Sequence, residues 1–217
     1  MRRQQLHSNT PPRNRAAARI SAAGLASVLA ALVAMPASAD ELASDWVEGH
    51  NVRTRLIAGA GREGRALAAL ARVLPVPAHP AGKPRMVAGV EVAIGDGWKT
   101  YWRNPGDAGG VPPSFDWTGS SNLARATVLY PAPHRMIDKT GTTIGYKSDV
   151  VFPVLIEAMN PAEPVVLKLD FAFGICREIC VPGESQHEVA IPADADSLPE
   201  QIASALAAVP SRTPPAG

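Results

Sequence analysis

Cysteine is almost absent from this chain: Cys176 and Cys180 are the only two in 217 residues. One disulfide at most can form, so the fold must rest on an apolar core and not on staples. A thioredoxin-type Cys-x2-Cys is missing, and two cysteines fall short of the four ligands of a structural zinc site. Aromatic residues make up only 5% of the chain. There is no basic excess either. The formal net charge of +1 includes five arginines before residue 40, which leaves 1 − 5 = −4 for the remainder. A mildly acidic domain lacks the positive stripe that a nucleic-acid partner requires. No Ser-His-Asp set, carboxylate pair, phosphate-cradling loop or internal repeat stands out. Asp107 and Asp116 lie in turn contexts where Asp is common.

Long hydrophobic runs are also scarce. The longest, Ile20 to Met35, is short for a bilayer span. It follows Arg2, Arg3, Arg13, Arg15 and Arg19 and precedes Ala37-Ser-Ala39, a small-x-small pattern. This reads as a cleaved signal peptide over 1–39, with a retained N-terminal anchor as the alternative, and export to an oxidising compartment. The 217 − 39 = 178 residues that follow form one medium domain. Residues 40–85 read as an opening strand and a variable insertion, 86–192 as the core, and 193–217 as a helix with a Pro-rich tail.

What is present is a series of short apolar alternations punctuated by Gly and Pro. Asp45 to Ile57 predicts an opening strand, interrupted at Gly59 to Gly64. Ala66 to Leu74 predicts helical turns, and Pro75 to Pro84 a loop. Val87 to Ile94 and Trp98 to Trp102 read as a hairpin around Gly95-Asp-Gly97. Ser114 to Trp117, Leu123 to Tyr130 and Val150 to Glu157 read as further strands, whereas His134 to Tyr146 reads as irregular. Pro199 to Val209 has helical composition, with Pro199 in the first turn. Trp98, Tyr101 and Trp102 read as packing residues. The pattern predicts an all-β antiparallel sandwich with a short C-terminal helix.

The organising stretch is Phe171-Ala-Phe-Gly-Ile-Cys-Arg-Glu-Ile-Cys-Val-Pro182. Val165, Leu167, Leu169, Phe171, Phe173 and Ile175 are apolar at every second position, the period of a half-buried strand. That period puts Cys176 on the open side. Val181-Pro-Gly183 predicts a break, and Glu184 to Pro192 a returning strand with Val189 and Ile191 inward. The cysteines therefore fall at a hairpin tip. Three readings stay open: exchange-active thiols, a structural disulfide, and a metal site. As a staple, so small a loop contributes only about 2 kcal/mol, against roughly 3–5 for a wide one. Strain in small exposed loops eases reduction, and Arg177 beside the pair favours a thiolate. The metal reading, a copper-binding or copper-tolerance module on the two thiolates, needs a third ligand from His134, His187 or Met136. Its spacing is similar to that of Sco-type copper-delivery proteins, but the alternating helices of their fold are absent. His187 itself reads as a solvent-facing strand residue.

A longer motif series carries a resemblance. It comprises Gly97-Trp-Lys-Thr-Tyr-Trp-Arg-Asn-Pro-Gly-Asp-Ala-Gly-Gly110, Pro112-Pro-Ser-Phe-Asp-Trp117, Tyr130-Pro-Ala-Pro133, Ile144-Gly-Tyr146, Phe152-Pro153 and the Cys176/Cys180 hairpin. In this order, over roughly Val87 to Pro192, it resembles the N-terminal periplasmic domain of the DsbD thiol:disulfide interchange proteins, and within them the ScsB-like branch. The resemblance implies an immunoglobulin-like sandwich whose cysteines cycle between dithiol and disulfide. It implies that Cys180 forms mixed disulfides with partners and Cys176 resolves them. The partners it implies are periplasmic thioredoxin-like proteins, including disulfide isomerases and cytochrome c maturation reductases. Because the family's membrane domain is not in this chain, the electron donor is expected to be a separate membrane protein. No cofactor, metal or small-molecule substrate is expected. Two features depart from the better-known members: their cysteines are spaced five apart, and their aromatic cap over the disulfide corresponds here to Asp138 to Tyr146, which has no aromatic residue at its tip.

Overall fold

The structure, a computed structural model, describes residues 42–61, 85–139 and 141–210. The signal peptide, the helical turns over 66–74 and the loop over 75–84 lie outside the described residues. In chain order the elements are β1 (Val47–Gly49), β2 (Val52–Gly61), β3 (Arg85–Ile94), β4 (Lys99–Tyr101), β5 (Ser114–Asp116) and β6 (Leu123–Val128). There follow β7 (His134–Asp138), β8 (Gly141–Tyr146), β9 (Val150–Ala158), β10 (Val165–Cys176), β11 (Cys180–Ile191) and the helix α1 (Glu200–Ala207). They build two antiparallel sheets, one ordered β1-β2-β3-β9-β6 and the other β11-β10-β4-β8-β7, with β5 also paired to β10. The described residues form an immunoglobulin-like sandwich closed by the short helix α1.

The core between the sheets follows from the period of two. Leu56, Val90, Val92, Phe152 and Val154 from the first sheet face Val165, Leu167, Leu169, Phe171, Phe173 and Ile175 of β10, and all are buried. Each such side chain contributes about 1.5–3 kcal/mol by leaving water. All four phenylalanines meet here: Phe115 lies 5.0 Å from Phe171 and 5.6 Å from Phe152, and Phe173 stacks on Phe171 at 4.8 Å. On the far side of the first sheet, Ile202 and Leu206 of α1 cover Ile57, Val87 and Leu129.

Several expectations need correction. The opening strand is two strands around His50-Asn51, and β2 runs through Gly59 to Gly61. Gly59 does not break it because the missing side chain is what lets Ser197 and Pro199 lie against the strand. The Gly95-Asp-Gly97 turn does not join a hairpin. β3 is flanked on both edges by β2 and β9, so the chain leaves the first sheet there and β4 joins the second, between β10 and β8. The 134–146 stretch is not irregular but a hairpin, β7 with β8, in which Ile137, Thr142, Thr143 and Ile144 supply β-branched residues. Finally, Pro182 and Gly183 do not interrupt the ladder, which continues unbroken from Val165↔Ile191 to Cys176↔Cys180. β11 is an edge strand, and a proline there leaves its partner's hydrogen bonds intact.

His187 is also not solvent-facing; it is 5% exposed. Its Nδ1 lies 3.1 Å from Ser44 Oγ, and its Nε2 lies 3.0 Å from both Thr54 Oγ1 and Ser185 Oγ. Ser44 Oγ also accepts the Leu56 N–H at 2.9 Å. The imidazole thus ties the N-terminal segment and β2 of one sheet to β11 of the other. Burial pushes its pKa below the ordinary 6.5. The unfolded chain therefore binds a proton before the folded one does, so stability is full above about pH 6.5 and declines as pH falls below it. Urea midpoints measured between about pH 7.5 and 5 should fall for the native chain and show a shallower slope for His187→Leu.

Candidate functional site

The site begins with the register of β10 and β11. Cys176 and Cys180 are direct cross-strand partners, joined by the tip Arg177-Glu178-Ile179. The Arg177 N–H donates to Ile179 O at 3.1 Å. That bond makes the cysteines a non-hydrogen-bonded pair, the position at which antiparallel strands approach most closely. Their Cα atoms are 4.1 Å apart and the sulfurs form a disulfide. The hairpin-tip reading of the pair is borne out.

The two sulfurs differ in surroundings. Cys180 is exposed, but Cys176 is only 1% exposed. The alternation did place Cys176 on the outer face, yet that face is not open here. Along β10 the outward residues Lys168 and Asp170 are exposed, whereas Gly174 and Cys176 are buried. What covers them is Tyr101 of β4. Its Oη lies 3.0 Å from Cys176 Sγ and 3.2 Å from Cys180 Sγ, and the residue is 3% exposed. Disulfide sulfurs offer only lone pairs, so the phenol O–H is the donor in this state.

The Tyr101 ring is held by a loop rich in glycine. Gly110 has φ +144°, and a Cβ there would overlap the ring. The next residue, Val111, accepts the Gly174 N–H at 3.3 Å, which fastens the loop to β10. Asp107 Oδ1 accepts the Thr142 N–H at 2.7 Å and fastens it to β8. Asp107 is thus a turn residue as expected, whereas Asp116 is the last residue of β5, its carboxylate accepting the Thr118 N–H at 2.9 Å. The cover over the buried sulfur therefore comes from Tyr101 and the 106–111 loop. On β8, Gly141 and Thr142 lie against that loop at Asp107 and Ala108.

The proposed third metal ligands do not converge on the cysteines. His187 is engaged with three hydroxyls, Met136 is buried in β7, and His134 is exposed at the start of the same strand. Among the described residues, no three His, Cys, Asp or Glu side chains are grouped to hold an ion. Trp98 and Trp102 pack against the core as expected. Tyr101 is the functional residue that sequence reasoning missed. β4 meets β10 through Lys99↔Cys176 and Thr100↔Ile175, and no local pattern announces a pairing over so long a separation.

Residues 73–192, more than half of the chain, match the family described as "Thiol:disulfide interchange protein DsbD, N-terminal". The chain belongs to this family. Among solved structures, it is similar to the N-terminal periplasmic domain of ScsB from Proteus mirabilis, with TM-score 0.54 and 20% identity. That match covers 78% of this chain and 60% of the ScsB chain, so this chain spans about three fifths of its length. A second match is the Neisseria meningitidis DsbD N-terminal domain in the reduced form, with 17% identity, TM-score 0.29, and coverage of 48% and 77%. No curated protein matches the chain.

The Tyr101 contact makes a prediction about the reduced state. A buried Cys176 thiolate, cut off from water, gains most from a phenol donor, because hydrogen bonds to charged groups are worth about 1.5–3 kcal/mol. Tyr101→Phe should raise the Cys176 thiol pKa by about one unit or more, read from the pH dependence of thiolate ultraviolet absorbance. Gly110→Ala should displace the ring and speed alkylation of reduced Cys176, measured by mass spectrometry of trapped samples.

Proposed function

We propose that this domain is a periplasmic thiol-disulfide oxidoreductase that relays reducing equivalents to thioredoxin-like proteins through Cys176 and Cys180. The observation that carries the reading is the asymmetry of the pair: the Tyr101 hydroxyl touches both sulfurs, but Cys180 is exposed while Cys176 is buried. The exposed sulfur is the one a partner can reach.

In the reducing direction, the Cys180 thiolate attacks a partner disulfide. A Cys180–partner bond forms, the partner's S–S bond breaks, and its second sulfur leaves as a thiolate. The Cys176 thiolate then attacks Cys180 Sγ, the intramolecular disulfide forms, and the partner departs as a dithiol after proton uptake. Two electrons have passed from this domain to the partner. Tyr101 is suited to both states of Cys176, since its O–H can face a thiolate or a disulfide sulfur with little movement. Recharging requires a dithiol donor, which we assign to a separate membrane protein. Export by a cleaved leader brings the domain to the compartment where such partners work.

The role assignment is directional and so is its test. Incubated with an oxidised thioredoxin-like protein, reduced Cys176→Ser should accumulate a mixed disulfide visible on non-reducing gels, and reduced Cys180→Ser should accumulate little. Equal trapping by both variants, or none by either, would reject the assignment.

A further inference from the structure

The tip between the cysteines is held on one side only. Glu178 and Ile179 are exposed, with Ile179 at 66%. Arg177 is exposed as well, but its side chain lies against the preceding turn. Its Cδ lies 3.5 Å from the position a Cβ would take on Gly97, so its stem crosses the β3–β4 turn. Its guanidinium carbon lies 5.8 Å from the centre of the Trp98 ring. Trp98 is itself fixed: it is 7% exposed, belongs to the core, and meets the His50 ring edge-on at 4.9 Å. The Cys176 end of the tip is therefore bound to β4 by the ladder and to the preceding turn by a side chain. The Cys180 end belongs to an edge strand with one ladder neighbour.

We propose that Arg177 is a positioning residue for the resolving step, anchored on the Gly97-Trp98 platform, and that it keeps Cys176 within reach of Cys180 when the disulfide is open. This rests on the exchange reading above. Once Cys180 is bonded to a partner, the disulfide no longer restrains the tip. Closure then depends on how often Cys176 Sγ meets Cys180 Sγ, an effective concentration set by the stiffness of the tip. Arg177 restrains the tip by stacking its side chain on a rigid aromatic surface. Its charge is not required to touch sulfur. Loss of the anchor lowers the effective concentration, which slows resolution and makes the closed disulfide easier to reduce.

Oxidised glutathione is a sufficient probe, because it reacts without a protein interface. Cys180 thiolate attacks one glutathione sulfur and releases one glutathione thiolate. Cys176 then displaces the second and closes the disulfide. An exposed cation on an aromatic ring is worth about 0.5–1 kcal/mol, or about two- to fivefold in an equilibrium. Arg177→Ala in the full chain should slow decay of the glutathione adduct by about that factor. It should also raise the reduction potential by about 10–20 mV, from 29.6 mV per tenfold. Measured at a pH where Cys180 is fully ionised, so that the Arg177 charge no longer sets the thiolate fraction, the first attack on glutathione should keep its native rate. Arg177→Lys should restore most of the loss. Trp98→Leu should reproduce it, and the Arg177→Ala/Trp98→Leu double variant should be no worse than either alone. Thermal unfolding checks that the Trp98 variant is folded; if it is not, the two Arg177 variants decide.

An unchanged adduct lifetime and potential in Arg177→Ala would overturn the anchor. So would a loss confined to the first attack, which would mark a charge effect on the thiolate. If the native chain forms no glutathione adduct at all, and Cys176→Ser traps none, the exchange reading itself has failed.

Discussion

Hydrogen bonding on both edges of β10 fixes where the sulfurs can be. One edge pairs with β11 along the full strand, and the other is shared between β5 and β4. Register is rigid because a one-residue slip would turn Phe171, Phe173 and Ile175 out of the core. With register fixed, alternation places Cys176 on the outer face and the ladder places Cys180 opposite it. The position of the disulfide is therefore a by-product of burying β10, and it needs no separate stabilising device.

The same constraint explains the cover. β4 contributes only three residues, yet its pairing with β10 and β8 sets the Tyr101 hydroxyl against both sulfurs. The loop that follows can lie flat on the ring because it carries glycine at the point of contact. A larger residue at Gly110 would lift the loop and admit water to the one sulfur the fold withholds. Elsewhere the sandwich is joined by the Ser44, Thr54, Ser185 and His187 cluster, which fastens the N-terminal segment to the opposite sheet.

Much of this was readable from residue pattern, and the failures share a cause. The alternation from Val165 to Ile175 located the inner face of β10 and the hairpin tip, and the motif series located the family. Local signals failed where distant pairing decided the outcome. Gly95-Asp-Gly97 looks like a hairpin turn, but β3 already has neighbours on both edges, so the chain crosses to the other sheet. Gly59 and Pro182 look like breakers, but one sits under the 197–199 segment and the other on an outer edge. His187 looks exposed by composition and is buried because three hydroxyls from separate segments satisfy it. Tyr101 looks like ordinary packing until β4 is seen beside β10.

Pro182 has a further consequence for how this surface meets other molecules. It occupies a position on β11 whose backbone groups point away from β10, so the outer margin of the sheet lacks an amide hydrogen two residues from Cys180. Glu184 and Glu188 follow on the exposed side of the same strand. A second polypeptide adding itself as a continuous ribbon would find a gap in its hydrogen bonds and carboxylates beyond it. A second polypeptide laid along this margin beside Cys180 would therefore gain fewer backbone hydrogen bonds than a bare twelve-residue strand offers.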